Sequence, residues 1–189
     1  MPISFDLEAI REKHGCKIYF ETGLWDPRSE ISCKKALRSN FETIYNVELR
    51  EDWYKLGSEI FKSDIDSGRL TLINDDSNNI ANHLDVNVFK DKAIFFLDAH
   101  VDNIDIKNYK NKCPLFNELI AIKNLPRNDN VILVDDLRLI KQPFPWGEQS
   151  YGNINFFEAI KLLILKINPE YKFEYLDGHC ENDVLYAYV

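Results

Sequence analysis

A doubly wound α/β sandwich of about seven strands, mostly parallel with the last strand antiparallel, is the fold this sequence predicts. Three observations carry the prediction. Strand-like apolar runs alternate with amphipathic stretches of helical length. Two of the runs, AIFFL within Asp91–Asp98 and VILV at Val131–Val134, are continuously apolar, as strands buried on both faces require. The last two strand-like segments have no helix between them, so they pair as a hairpin and leave one strand antiparallel.

The elements follow in order. Lys17–Glu21 (KIYFE) is rich in β-formers and ends at Thr22-Gly23. After the breaker Pro27, Ser29–Arg38 reads as a helix. Thr43–Glu48 (TIYNVE) is a second strand. Glu51–Lys62 carries Trp53, Leu56, Ile60 and Phe61 at helical spacing. Arg69–Ile73 (RLTLI) is a third strand after Gly68, and AIFFL is the fourth. Pro114–Lys123 is a helix with Leu115, Leu119 and Ile122 on one side. VILV is the fifth strand, and Ile154–Ile167 is the clearest helix. Tyr171–Leu176 and Val184–Val189 close the sheet around a turn at Asp177-Gly178.

Size and composition agree with one such domain over residues 1–189. Apolar residues make up 45% of the 189 positions, enough for one core. No apolar run approaches the ~20 residues of a membrane span. Residues 1–16 lack the apolar core of a secretory signal. Net charge is −8, which argues against a general nucleic-acid or anionic-membrane binder. Cys16, Cys33, Cys113 and Cys180 are too scattered for structural zinc. A reduced, cytoplasmic chain with buried thiols is therefore expected.

In this architecture ligands bind beyond the carboxyl ends of the strands. Read in order, those ends are Glu21-Thr22-Gly23, Glu48, Asp75-Asp76-Ser77, Asp98-Ala99-His100 and Asp135-Asp136. Each carries a carboxylate, and clustered carboxylates repel unless a cation or a donor-rich ligand offsets them. Glu48 can accept hydrogen bonds from both hydroxyls of a ribose. Gly23 lets the backbone approach a ligand closely. Neither G-x-G-x-x-G nor G-x-x-x-x-G-K-[ST] is present, so a dinucleotide or phosphate-loop site is not expected. Asp98, Asp135 and Asp136 end strands that should be neighbours. Oxygen ligands without nearby cysteine suit a hard divalent cation, magnesium first; a helix N-cap is the plainer role for any one of them. His100, two residues beyond Asp98, is placed to take a proton near neutral pH.

The segments IYFETG, TIYNVELRED, RLTLINDDS, AIFFLDAH, CPLFNELIAI and NVILVDDLRLI, over roughly residues 17–140, resemble class I S-adenosylmethionine-dependent methyltransferases in order and spacing. They look most like a subgroup with an F-x-L-D-A-H … P-x-x-x-E-L … I-D-D pattern. The resemblance implies a Rossmann-like fold and S-adenosylmethionine as cofactor. It would place Glu21 and Gly23 under the methionine part, Glu48 on the ribose, and Asp76 and Ser77 beside the adenine. Asp98, Asp135 and Asp136 resemble the magnesium-binding acids of metal-dependent O-methyltransferases of sugar and natural-product tailoring. Asp98 thereby counts among both the catalytic and the cofactor-binding residues, and His100 would be the general base. Glu118 would orient substrate or a neighbouring loop, or lie on the helix surface. The loop ETGLWDPRS departs from the pattern, with Trp25 and Pro27 near where a second glycine is usual; a Ser-Gly-Gly stretch after DAH is absent.

The expected activity is methyl transfer to a hydroxyl of a small acceptor, a sugar or glycan precursor being preferred. Phe144, Pro145, Trp146 and Tyr151 form an aromatic group suited to a sugar face; a homodimer contact is the other use for it. Three other readings stay open. One is a degenerate fold used as a binding module. Another keeps the cofactor but binds a cationic or polyhydroxyl substrate directly at the acidic cluster. The last is a binuclear-metal hydrolase, because Asp98-Ala99-His100-Val101-Asp102 resembles the D-A-H-x-D motif of ureohydrolases, whose other motifs are missing.

Overall fold

A computed structural model describes residues 3–99, 113–141 and 155–189. Seven strands form one sheet: β1 (Ile18–Thr22), β2 (Thr43–Glu48), β3 (Leu70–Asn74), β4 (Ala93–Leu97), β5 (Val131–Val134), β6 (Lys172–Leu176) and β7 (Val184–Tyr188). Their order is β3-β2-β1-β4-β5-β7-β6. The strands from β3 through β5 pair in parallel, and β7 runs antiparallel to both β5 and β6. The predicted fold class is the observed one. The chain reverses its direction of winding between β1 and β4, and that reversal opens a crevice at the carboxyl edge.

Strand alternation sorts the core into two layers. Ile18, Phe20, Val47, Phe95, Leu97, Ile132 and Val134 point to one face. Tyr19, Ile44, Ile94, Phe96, Val131 and Leu133 point to the other. Helices α5 (Leu115–Lys123) and α7 (Phe156–Ile167) and the 3₁₀ turn over Ser77–Asn82 cover the first face. Helices α1 (Leu7–His14) and α2 (Ser32–Arg38) cover the second. Every residue of β4 and β5 is buried, which accounts for their unbroken apolar runs.

Four details depart from the sequence expectation. Helix α1 was not foreseen, although Asp6 caps it through Ala9 N–H and Gly15 ends it at φ 64°, both ordinary stop and start signals. The helix expected from Ser29 begins at Ser32. Pro27 lies instead in a turn closed by Ser29 N–H on the Asp26 carbonyl, and Ile31 stays extended so that its side chain is buried. The helix expected over Glu51–Lys62 breaks at Phe61 into α3 (Glu51–Ile60) and α4 (Lys62–Asp66). Phe61 is buried there, whereas Ile60 is exposed. Among the thiols, Cys16 and Cys33 are buried as expected, but Cys113 is half-buried and Cys180 is exposed on the closing turn. No helix among the described residues is long and apolar enough to cross a membrane.

Candidate functional site

Parallel pairing in register sets the site. Thr22 lies opposite both Val47 and Leu97, and Leu97 lies opposite Val134. The ladder continues one residue further: Asp98 N–H donates to the Thr22 carbonyl at 3.1 Å, and Asp135 N–H donates to the Leu97 carbonyl at 3.2 Å. Neighbouring strands are ~4.8 Å apart, so the first residue after each strand meets its counterpart on the next. Sequence spacing alone therefore converts to a row of acids at one edge.

On the β1–β2 side these acids are already engaged. Glu21 is fully buried within β1 and faces Asn46 across the ladder. Its carboxylate accepts from the Ser32 hydroxyl and, at 2.9 Å, from Asn46 Nδ2. Burial pushes its pKa up to about 8 against those two hydrogen bonds. Glu48 accepts from Leu24 N–H at 2.8 Å, Trp25 N–H at 3.2 Å and Arg50 N–H at 2.7 Å. Burial raises its pKa as well, with the three backbone hydrogen bonds acting in the opposite sense. A carboxylate has about four lone-pair positions; Glu48 spends two on the loop that follows β1 and a third on Arg50 N–H, just beyond its own strand.

That loop is tightly built. Gly23 has φ 86°, and a Cβ there would lie 2.6 Å from the Asp98 carbonyl oxygen. Only glycine combines that dihedral with so close an approach. Trp25 is also left-handed, at φ 64°, uncommon for a bulky residue. Its ring lies 4.8 Å from that of Trp53, and the Arg50 guanidinium sits 3.7 Å over the Trp53 ring. Trp25 remains 44% exposed, so an aromatic rim borders the loop.

The β4–β5 side is different. Asp98, Asp135 and Asp136 each offer a carboxylate oxygen within 4.8 Å of the others. Asp135 and Asp136 are buried, and Asp98 is half-buried. Asp136 adopts φ 60° and starts α6 (Leu137–Ile140). Its backbone N–H donates to Asp135 Oδ1 at 2.7 Å, which turns that carboxylate toward the cluster. Burial raises the Asp98 pKa, and the neighbouring Asp136 charge adds to the effect. Arg138 pairs with Asp136 at 2.5 Å and also with Asp183. Asp183 further accepts from Arg138 N–H at 2.8 Å, while its carbonyl accepts from Leu137 N–H at 2.8 Å. The β6–β7 turn closes in from above: a Cβ on Gly178 would lie 3.1 Å from Asp135 Oδ1.

Those donors test the fit of a metal. Three converging oxygen ligands with no thiolate among them suit a hard divalent cation. Arg138 balances part of the acidic charge, and its own place is fixed by Asp183. The residues present therefore fit a divalent cation on Asp98, Asp135 and Asp136.

The remaining sequence candidates are placed as follows. Asp76 caps the 3₁₀ turn, accepting from Asn78 N–H at 2.9 Å and Asn78 Nδ2 at 2.8 Å; Ser77 is buried beside it. Asp75 binds His83 at 2.7 Å and Asn79 at 3.0 Å, which hold its pKa below the usual range. Glu118 is fully buried on α5 rather than on the helix surface. His100, the stretch 101–112 and the aromatic group Phe144, Pro145, Trp146 and Tyr151 lie outside the described residues. Asp183, Arg138, Ser32 and Asn46 were not anticipated. Asn46 was recoverable from the parallel register, but Asp183 reaches the site only through a hairpin without a motif.

No protein-family model and no curated protein matches the chain. Solved structures do. A candidate caffeoyl-CoA O-methyltransferase from Staphylococcus aureus superposes with a TM-score of 0.57 at 12% identity, over 96% of this chain and 80% of that one. An O-methyltransferase from Bacillus cereus, solved in complex with SAH, gives 0.56 at 15% identity, over 97% and 78%. Spermidine synthase from Thermotoga maritima gives 0.54 at 13% identity, over 92% of this chain and 52% of that one. The chain thus spans about half the length of the spermidine synthase. At these identities the likeness establishes architecture: this chain has the seven-stranded α/β fold that S-adenosylmethionine-dependent methyltransferases share with spermidine synthase.

Proposed function

We propose that this protein is an S-adenosylmethionine-dependent methyltransferase, acting with a divalent cation on a hydroxyl of a small molecule. The observation that carries this reading is the convergence of Asp98, Asp135 and Asp136 within 4.8 Å beside the β1–β4 crevice of a methyltransferase fold. Under it, Glu21 and Gly23 lie beneath the methionine part of the cofactor, and Asp76 and Ser77 border its adenine. Glu48 offers its remaining lone pair to a ribose hydroxyl, and the loop it holds shapes that end of the site.

Asp98, Asp135 and Asp136 would hold the cation, which would supply Lewis acidity toward the acceptor oxygen. His100 then takes the hydroxyl proton. S-adenosylmethionine, held by Glu21, Gly23, Glu48, Asp76 and Ser77, would supply an electrophilic methyl group to that oxygen, the electron pair of its carbon–sulfur bond staying on sulfur. Arg138 and Asp183 keep the acids in position and limit their repulsion. A sugar hydroxyl is the proposed acceptor, with Phe144, Trp146 and Tyr151 as its stacking group.

The acidic excess also favours a second reading, in which a cationic acceptor binds the aspartates directly and no metal is needed. Calorimetric titration with S-adenosylhomocysteine, with magnesium and then with a chelator, separates the readings. Micromolar binding that responds to magnesium supports the metal-dependent transferase. Binding indifferent to both additions favours the second reading. No binding in either condition overturns the cofactor assignment and leaves a binding module.

A further inference from the structure

Glu118 has no role in the mechanism above, yet it is the least satisfied acid in the described structure. It is fully buried. Neither of its carboxylate oxygens has a hydrogen-bond partner among the described residues. Burial pushes its pKa up to about 8, with the nearby hydroxyls of Thr22 and Ser77 working against the shift and the charges of Asp76 and Asp98 adding to it. A buried polar group left without a partner costs ~1–3 kcal/mol, and native folds carry few of them.

Its location explains why such a group would be kept. Glu118 lies in the first turn of α5, against Thr22 at the end of β1 and Ser77 after β3. It therefore lies buried beneath the edge where the winding of the sheet reverses. The helix is held there: Asn117 Nδ2 donates to Asn78 Oδ1 at 2.7 Å across to the 3₁₀ turn. An acceptor pair is thus fixed in place at this edge, with the Thr22 and Ser77 hydroxyls nearby but neither oxygen in a hydrogen bond among the described residues.

We propose that Glu118 is a specificity residue of the nucleoside crevice, its carboxylate accepting a hydrogen bond from an amine of the bound S-adenosyl compound. The proposal rests on the cofactor reading above. Such a compound carries two amines, the 6-amino group of the base and the α-ammonium of the amino-acid tail. Either supplies N–H donors to a carboxylate neither of whose oxygens has a hydrogen-bond partner among the described residues.

The test titrates three ligands into the wild type, Glu118→Gln and Glu118→Leu. These are S-adenosylhomocysteine, its analogue with purine in place of adenine, and S-adenosyl-4-thiobutyrate, which lacks the α-ammonium. The wild type should bind one of the two analogues ~10-fold or more weakly than the parent, as loss of a hydrogen bond to a charged group implies; which one identifies the amine. Glu118→Leu should lose that discrimination, and Glu118→Gln, which keeps an acceptor oxygen, should retain part of it. A Leu variant with wild-type ratios for all three ligands overturns the proposal and leaves the cofactor reading standing. A wild type that binds none of them overturns both. Thermal unfolding without ligand is the second readout. The Leu variant should melt at or above the wild type, because it removes two unsatisfied buried oxygens; a fall of several degrees would assign Glu118 to the fold and sink the proposal.

Discussion

The two halves of the ligand edge use the same residue type to opposite ends. On the β1–β2 side, Glu21 and Glu48 between them accept five hydrogen bonds from Ser32, Asn46, Leu24, Trp25 and Arg50. Glu21 ties β1 to β2 and α2, and Glu48 holds the loop after β1. On the β4–β5 side, three aspartates converge and Arg138 is the cation seen to pair with one of them. Buried acids supplied with donors can support structure by themselves; acids that converge on each other keep a place for positive charge. A carboxylate at a strand end thus says where a site is, and its donors say what the acid is for.

The comparison breaks most visibly at the aspartate cluster. Asp135→Asn leaves the packing of β5 in place but removes a charge from the cluster. Any magnesium dependence of S-adenosylhomocysteine binding should vanish, and His100→Ala should lower turnover by ~10²–10⁴. An Asn variant with an unchanged magnesium response would move the cation elsewhere. Stability should fall next. Asp183→Ala removes one of the two carboxylates that Arg138 pairs with and leaves the Arg138 backbone N–H without its acceptor, at a cost of about 3 kcal/mol in urea unfolding. A loss below about 1 kcal/mol would mean that the hairpin does not hold the cluster.

Gly23→Ala joins the halves. Its Cβ would meet the Asp98 carbonyl oxygen at 2.6 Å and its φ of 86° is unfavourable for alanine. A loss of about 2 kcal/mol is expected, and a neutral result would show the loop free to move away from β4. A pH slope tests the β1 side separately. Glu21 has a folded pKa of about 8, above its ordinary value of 4.5. The unfolded chain therefore releases its proton first, and stability should fall as pH rises from about 4.5 to 8. Glu21→Gln should flatten that slope and gain stability toward pH 8. A steeper slope in the variant would place the buried charge on another group.

What the sequence determined by itself is the architecture and the position of the edge. Short, β-rich continuous apolar runs such as AIFFL and VILV read as central strands, and parallel strands in register bring whatever follows them to one line. Asp98 and Asp135 were legible for that reason, as was Glu48. Helix α1 was legible too, through Asp6 and Gly15, although its short apolar face, with only Leu7 and Ile10 buried, made it easy to pass over. Tertiary structure alone decided which acids are satisfied. Glu21 and Glu118 look alike in the sequence, each a glutamate beside apolar neighbours. One is hydrogen-bonded by Asn46 and Ser32, and the other lies near the Thr22 and Ser77 hydroxyls with no hydrogen bond to either oxygen among the described residues. Asp183 entered the site because a hairpin folded back against β5. Local pattern dictates where a side chain leaves the backbone; which groups meet it depends on chain segments far away in sequence, and those contacts set its charge and its use.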